Sequence, residues 1–349
     1  MRKDPFRLHR LALAPFLDSD QPVDFPSLLT EAEEDGINNF LQFLIFNGLA
    51  PLWHEALINY GQQNKVDSIF TEKLYQVRLT AEASYLMQKK TLLRVNDTLT
   101  SAGIKYAVFK GAHIRELVYE NPALRPCTDI DVLVSKQNRD AAINSLKNIG
   151  LDYKPMSKNI SHEATLIDGT VNVDLHWHIM RPGRMRIEMT ELLLNNSKKL
   201  EGFVGLSDTA SLYVMLVHPV FTKYATAPQS TLIRLVDISR WIKIRQIDWG
   251  SVYFLLEQAG NCTAAWIMLE WLKILTQVKP PEPFIERIYP GRLRSNYMKH
   301  WIINDLSSRY LNHPIITQVA FTLPAHDKFS DASRAVIQLI NDNISAKKT

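Results

Sequence analysis

Cysteine is scarce and poorly placed for chemistry: 349 residues hold two, Cys127 and Cys262. They lie far apart without ligand spacing, which argues against a disulfide framework or a zinc site and fits a reducing cytoplasm. Long apolar runs are missing too. No stretch reaches the roughly 18 apolar residues of a membrane span. The opening Met1-Arg2-Lys3-Asp4-Pro5-Phe6-Arg7-Leu8-His9-Arg10 carries charge where an export signal needs an unbroken apolar region. The expectation is a cytoplasmic protein, neither exported nor membrane-spanning. An excess of one charge sign is also lacking. Forty Lys and Arg against 36 Asp and Glu leave a formal charge of +4, too little to mark a nucleic-acid reader, which concentrates its basic residues on one face. A small phosphate-rich substrate suits this balance, and there is no internal repeat or low-complexity tract.

What is present is ample core material, 46% hydrophobic residues, in a chain long enough for two or three domains. Residues 1–100 read as helical. Pro26-Ser27-Leu28-Leu29 leads into Glu31, Glu33, Glu34 and Asp35, an acidic run suited to the first turns of a helix, and 38–46 gives a second apolar segment. From 67 to 99, Ile69, Phe70, Leu74, Leu86, Leu93 and Leu99 recur at helical intervals, and Gly103 follows as a stop. Near residue 101 the period changes. Ile104-Lys105-Tyr106-Ala107-Val108-Phe109 reads as a strand, Gly111 as a turn into a helix over 112–119, and Pro122 and Pro126 keep 120–128 out of helix. A strand then begins Asp129-Ile130-Asp131-Val132-Leu133-Val134. Strand side chains alternate, so Asp129 and Asp131 share one face while Ile130, Val132 and Val134 enter a core.

An amphipathic helix over 138–149 presents Ala142, Leu146 and Ile149 to that core. A hairpin follows, turning at Asp168-Gly169. In its second strand Val171, Val173 and Leu175 share one face and Asn172, Asp174 and His176 the other, which puts a third carboxylate on a polar strand face. Helical period returns after Ser207-Asp208, through Leu212, Met215 and Leu216, then Leu232 to Ile238, 252–256 and 264–275. Lys279-Pro280-Pro281-Glu282-Pro283 breaks it before a less regular final segment, and Ser345-Ala346-Lys347-Lys348-Thr349 is expected to fray. The fold class is therefore α+β: a small mixed-sheet core at 101–205 between an N-terminal helical region (1–100) and a C-terminal one (206–349).

Phe109-Lys110-Gly111-Ala112, Leu124-Arg125-Pro126-Cys127-Thr128-Asp129-Ile130-Asp131-Val132-Leu133-Val134 and Val173-Asp174-Leu175-His176-Trp177 stand in the order of parts found in the DNA polymerase beta-like nucleotidyltransferase superfamily. Over residues 100 to 180 the chain resembles its uncharacterised nucleotidyltransferase family, with weaker similarity around His218, Arg234 and Asp237. That resemblance implies transfer of a nucleoside monophosphate from a nucleoside triphosphate, ATP foremost, to an acceptor, with release of pyrophosphate. It implies Asp129, Asp131 and Asp174 as catalytic residues and ligands for Mg2+ or Mn2+.

The chemistry has its own reason. In-line displacement at phosphorus is served by two divalent ions about 3.5–4 Å apart on the attacking and leaving oxygens, and magnesium takes oxygen ligands with substrate phosphates completing its shell. Lys110, Gly111, Ala112 and Arg125 form the expected phosphate site. A helix beginning at Gly111 offers unpaired N–H groups to an anion, and Lys110 and Arg125 add charge in place of the serine hydroxyl that relatives often carry where Ala112 stands. Against this, Lys110 could cap a strand end and Arg125 could pair with a local carboxylate. His176 and His178 face the substrate or support the carboxylates if the strand continues; His-x-His is also a zinc or iron pattern, which leaves open a metal-dependent hydrolase built on Asp174, His176 and His178. His218, Arg234 and Asp237 are expected to face the cleft, although polar residues bridging helices look identical. Trp177, Trp241, Trp266 and Trp271 read as core. The acceptor is a small molecule or biosynthetic intermediate, or alternatively a protein or peptide side chain; a nucleotide-binding module without turnover is the reading from another class.

Overall fold

Alternating Val, Ile and Leu in the middle of the chain fold into a single mixed sheet with both faces covered. The computed structural model describes residues 4–17, 23–155 and 163–345; the last four residues of the tail expected to fray lie outside them. Strands β1 (Tyr106–Phe109), β2 (Asp129–Val134), β3 (Asp152–Lys154), β4 (Glu163–Asp168), β5 (Val171–His176), β6 (Ser197–Leu200) and β7 (Phe203–Leu206) align in the order β3-β4-β5-β2-β1-β7-β6. The fold is α+β, a seven-stranded mixed sheet flanked by helices. β1 and β2 run antiparallel, whereas β2 and β5 run parallel. A parallel pair needs a crossover, supplied here by the Arg139–Asn148 helix and the strands β3 and β4.

The parallel register sets the site. Asp129 stands opposite Asn172, Asp131 opposite Asp174 and Leu133 opposite His176. On the far face Ile130, Val132, Val134, Val173 and Leu175 are fully buried under Leu92, Val95 and Leu99 of the Ser68–Ser101 helix and Ala142 and Leu146 of the Arg139–Asn148 helix. Each such aliphatic burial contributes about 1.5–3 kcal/mol, which pins the register, because a slip by one residue would turn every carboxylate into that core. The face bearing the carboxylates looks toward a second core, in which Ala107, Phe109 and Leu133 meet helices from both ends of the chain. Trp241, Trp266 and Trp271 are buried there and Trp177 in the first core, as expected. Both cysteines are free thiols. Among the described residues no helix is long and apolar enough to cross a membrane.

Several expectations need correction. Glu33, Glu34 and Asp35 do not open a helix but close one, as a 3-10 turn after Phe25–Ala32, where Arg7 pairs with Glu34 and Asp35. In the long helix Phe70, Leu74 and Leu99 are buried, but Ile69, Leu86 and Leu93 are 64%, 68% and 41% exposed. Leu86 and Leu93 each sit two residues before a buried position, Gln88 and Val95, which is about 200° round the helix. The final segment, expected to be less regular within a helical region, is made of helices, among them Glu282–Ile288, Arg292–Ile303 and Phe329–Ser345. Finally, the hairpin strand stops at His176, so His178 does not continue its face.

Candidate active site

Six parts of the chain, among others, converge on a cavity of about 600 Å³: the turn after β1, the 125–128 loop, β2, β5 and the two helices Asp208–Lys223 and Ile233–Ile244. Its size is that of a small-molecule site.

Asp131 is the buried hub. It is 4% exposed, and its Oδ1 accepts from Lys110 Nζ at 2.6 Å and bonds His176 Nε2 at 2.8 Å. Burial alone would raise this carboxyl; the Lys110 charge and the His176 hydrogen bond outweigh it and hold the group well below the ordinary carboxylate range. Behind His176, its Nδ1 lies 3.3 Å from Glu163 Oε2 on the neighbouring strand. Asp129 behaves oppositely. Burial, then the negative charge of Asp131, raise it to about 6 despite Lys110. Asp174 is raised too, first by burial, while Thr165 Oγ1 donates to its Oδ1 at 2.7 Å and fixes its orientation. One face thus carries a carboxylate whose ionised form is favoured between two whose ionisation is opposed, an arrangement concentrated at functional sites.

Lys110 holds its position at a cost. Its φ of 56° and ψ of −140° fall where a side chain is strained by about 1–3 kcal/mol. The strain turns the ammonium back over β2. Gly111 follows because nothing larger fits: a Cβ there would lie 2.3 Å from Arg125 Nη1 and 2.8 Å from Cys127 Sγ. Arg125 pairs not with a local carboxylate but with Asp237, on the distant Ile233–Ile244 helix. Nη2 meets Oδ2 at 2.6 Å and Nε meets Oδ1 at 3.3 Å, while Tyr119 donates its hydroxyl to the same Oδ1 at 2.7 Å. The pair is buried, and the Asp237 charge keeps Arg125 protonated against the burial that opposes it.

Of the residues singled out in the sequence, Lys110, Gly111, Arg125, Asp129, Asp131, Asp174, His176, His178, His218 and Arg234 line the one cavity. Ala112 does not; its side chain is fully buried in the core beneath the sheet. Asp237 lines a smaller recess shared with Arg125, His218 and Arg234. His178 turns to Glu188, 3.2 Å from its Nδ1, and so has a different partner from His176. His218 is kept neutral, first by burial and then by the Lys110 and Arg234 charges. Sequence reasoning passed over Glu163, Arg181, Thr222 and Lys223, which also line the cavity. Lys223 closes a helix, where lysine is ordinary; Glu163 sits in register with His176 across the hairpin, the signal that could have found it.

Among the described residues no group of three or more His, Cys, Asp and Glu side chains is closed up enough to hold a metal ion unaided. The carboxylates of Asp129, Asp131 and Asp174 present oxygen atoms on one strand face, and Asp129 is raised first by burial and then by the charge of Asp131 beside it. This suits a hard cation completed by substrate oxygens rather than a zinc cage.

The mixed sheet brings the Asp-x-Asp strand and a third Asp into register beside a glycine turn, the order of parts on which the resemblance to nucleotidyltransferases rests. The chain belongs to the uncharacterised nucleotidyltransferase family, whose model matches residues 33–277, including every carboxylate above and the helices bearing His218, Arg234 and Asp237. A search of curated proteins returns no match.

Proposed function

We propose that this protein is a magnesium- or manganese-dependent nucleotidyltransferase that moves a nucleoside monophosphate from a nucleoside triphosphate, ATP foremost, to a hydroxyl or similar group of a small molecule or biosynthetic intermediate, releasing pyrophosphate. The observation that carries the reading is the register of Asp131 against Asp174 on adjacent parallel strands, with Asp129 on the same face. A cavity of about 600 Å³ supports a small acceptor over a protein surface.

Asp129 and Asp131 would hold the ion on the nucleotide side, and Asp174 would share the second. Bound there, such ions would withdraw charge from the attacking and leaving oxygens. The chain's own groups do the rest. Lys110 and His176 keep Asp131 ionised and in one orientation. Asp174, held by Thr165 and raised by burial, takes the proton of the acceptor hydroxyl as a general base. The acceptor oxygen bonds to the α-phosphorus while the bond from that phosphorus to the bridging oxygen breaks, and pyrophosphate leaves with the electron pair.

The test is the Asp129→Asn, Asp131→Asn double variant. Asn keeps the shape and removes the charge, so the fold should persist while pyrophosphate release falls by roughly a thousandfold or more, as expected when several kcal/mol of transition-state stabilisation are lost. Turnover at the wild-type rate would sink the reading. Incubating the protein with labelled nucleoside triphosphates, magnesium and an extract of its source, then asking whether label enters a small molecule or a macromolecule, identifies the acceptor class.

A further inference from the structure

The phosphate site expected at the Gly111 turn is crowded by its own partners. Lys110 is spent on Asp131, Arg125 on Asp237, and Arg125 lies against Gly111 itself. Three other cations line the cavity: Arg181 just beyond β5, Lys223 at the end of the Asp208–Lys223 helix and Arg234 at the start of the Ile233–Ile244 helix. Among the described residues none of the three makes an ion pair, and Arg234 Nε is shielded from solvent with no hydrogen-bond partner. Three like charges gathered without a carboxylate among them repel one another. Burial depresses Lys223, and after it the charges of Arg234, Lys110 and Arg181 do the same. Lys223 and Arg234 are half-buried, and like charges partly withdrawn from water without a partner are relieved by an anion rich in charge and in acceptor oxygens. His218 and Thr222, on the Asp208–Lys223 helix, line the same cavity, with Thr222 Oγ1 3.2 Å from His218 Nδ1.

We infer that Arg181, Lys223 and Arg234 form a polyphosphate site on the helical wall of the cavity, which holds the β- and γ-phosphates of the nucleotide and then the departing pyrophosphate. The inference rests on the transferase reading for the identity of the ligand, but the site itself does not depend on catalysis. Arg234 and Lys223 line the same cavity as Asp129, Asp131 and Asp174, so a phosphate chain held by them would extend its α-phosphorus end toward the carboxylates. The Lys110 turn then serves to orient Asp131, and the bulk of the substrate's negative charge is met from the opposite wall.

Pyrophosphate binding to the full chain, measured by calorimetry in the presence of a chelator, tests this without turnover. Wild-type protein should bind pyrophosphate, and ATP should displace it. Arg234→Ala should weaken binding about tenfold, and the Arg234→Ala, Lys223→Ala pair about a hundredfold, each lost charge-assisted contact being worth a factor near ten. Arg234→Lys should recover part of the loss, which a merely structural role would not do. Arg181→Gln alters an exposed side chain and should weaken binding severalfold with unchanged thermal stability, so the site is tested even if the variants at the half-buried Lys223 and Arg234 unfold. Asp129→Asn, Asp131→Asn should retain pyrophosphate affinity. Undiminished pyrophosphate binding in the Arg181 and Arg234 variants, or pyrophosphate and ATP bound at the same time, would overturn the inference. If pyrophosphate binds as described but no nucleotide is ever transferred, the site stands and the transferase reading falls; if transfer proceeds and the variants bind pyrophosphate normally, the reverse holds.

Discussion

A single buried ion pair, Arg125 with Asp237, joins the loop before β2 to the helical wall 112 residues away. Both side chains are nearly inaccessible, 9% and 2% exposed, so removing one strands the other. Asp237→Ala is expected to destabilise the protein by about 3–5 kcal/mol, because the guanidinium would be left buried and unpaired. Replacing both with apolar residues of similar volume, Arg125→Met and Asp237→Leu, should restore much of that loss. Urea midpoints of the wild type and the two variants check it; a double variant no more stable than the single one would mean that packing, not charge, dominates. At this scale the carboxylate triad was legible because strand alternation fixes which residues share a face. The partner of Arg125 was not, since pairing across 112 residues leaves no local pattern, and the pull of Arg125 on Gly111 is visible only as the missing space for a Cβ.

Elements were legible where their periods were strong and illegible where a polar residue does the joining. The long helix is capped by Asp67, whose side chain accepts from Phe70 N, and its position followed from periodicity. Its contact with the site did not, because that contact is Gln88. Its Nε2 donates to Cys127 O at 2.7 Å, and its Oε1 accepts from Arg115 Nη1 at 2.7 Å. One amide thereby ties the long helix to the 125–128 loop and to the Gly111–Val118 helix. Arg115 is fully buried, with Nε and Nη2 making no hydrogen bond among the described residues and Nε 3.8 Å from Glu116 Oε1, so Gln88→Leu would take its only side-chain hydrogen-bond acceptor there. The expected loss is about 2–4 kcal/mol, the cost of a buried charged donor left without a partner, read as a lowered unfolding midpoint. The β6–β7 hairpin escaped notice for a related reason. Gly205 interrupts its strand pattern, yet a Cβ at that position would come within 2.3 Å of His113 Nδ1. Gly205→Ala should therefore cost about 1–3 kcal/mol by overpacking, with the loss seen in the same measurement.

The two ends of the chain share one core, and that sharing governs how the whole molecule responds to acid. Phe6 packs edge-on against Trp271 with ring centroids 4.6 Å apart, and Trp53 Nε1 donates to Ala12 O. Asn47 Oδ1 accepts from Leu232 N, so the helices flanking the sheet are knit together. Three histidines lie in these contacts or beside them: His9 near the N-terminus, His113 under the sheet edge and His326 near the C-terminus. Burial lowers each to about 4 from 6.5. The folded protein thus holds them neutral, whereas the unfolded chain takes up protons below pH 6.5. Their contribution to stability is complete above pH 6.5, declines as pH falls from there toward 4, and changes no further below that. Each is worth at most about 3 kcal/mol over this window. His113 is the sharpest case, fully buried with its Nε2 3.0 Å from Ser211 Oγ. His113→Asn, which stays neutral at every pH, should be less stable than wild type at pH 7, and the gap should narrow or reverse by pH 5. Melting temperatures of the two proteins across pH 4.5 to 7.5 decide this: a gap independent of pH would mean that His113 protonates as readily in the folded protein as in the unfolded chain, and acid lability would then have to come from the carboxylates alone.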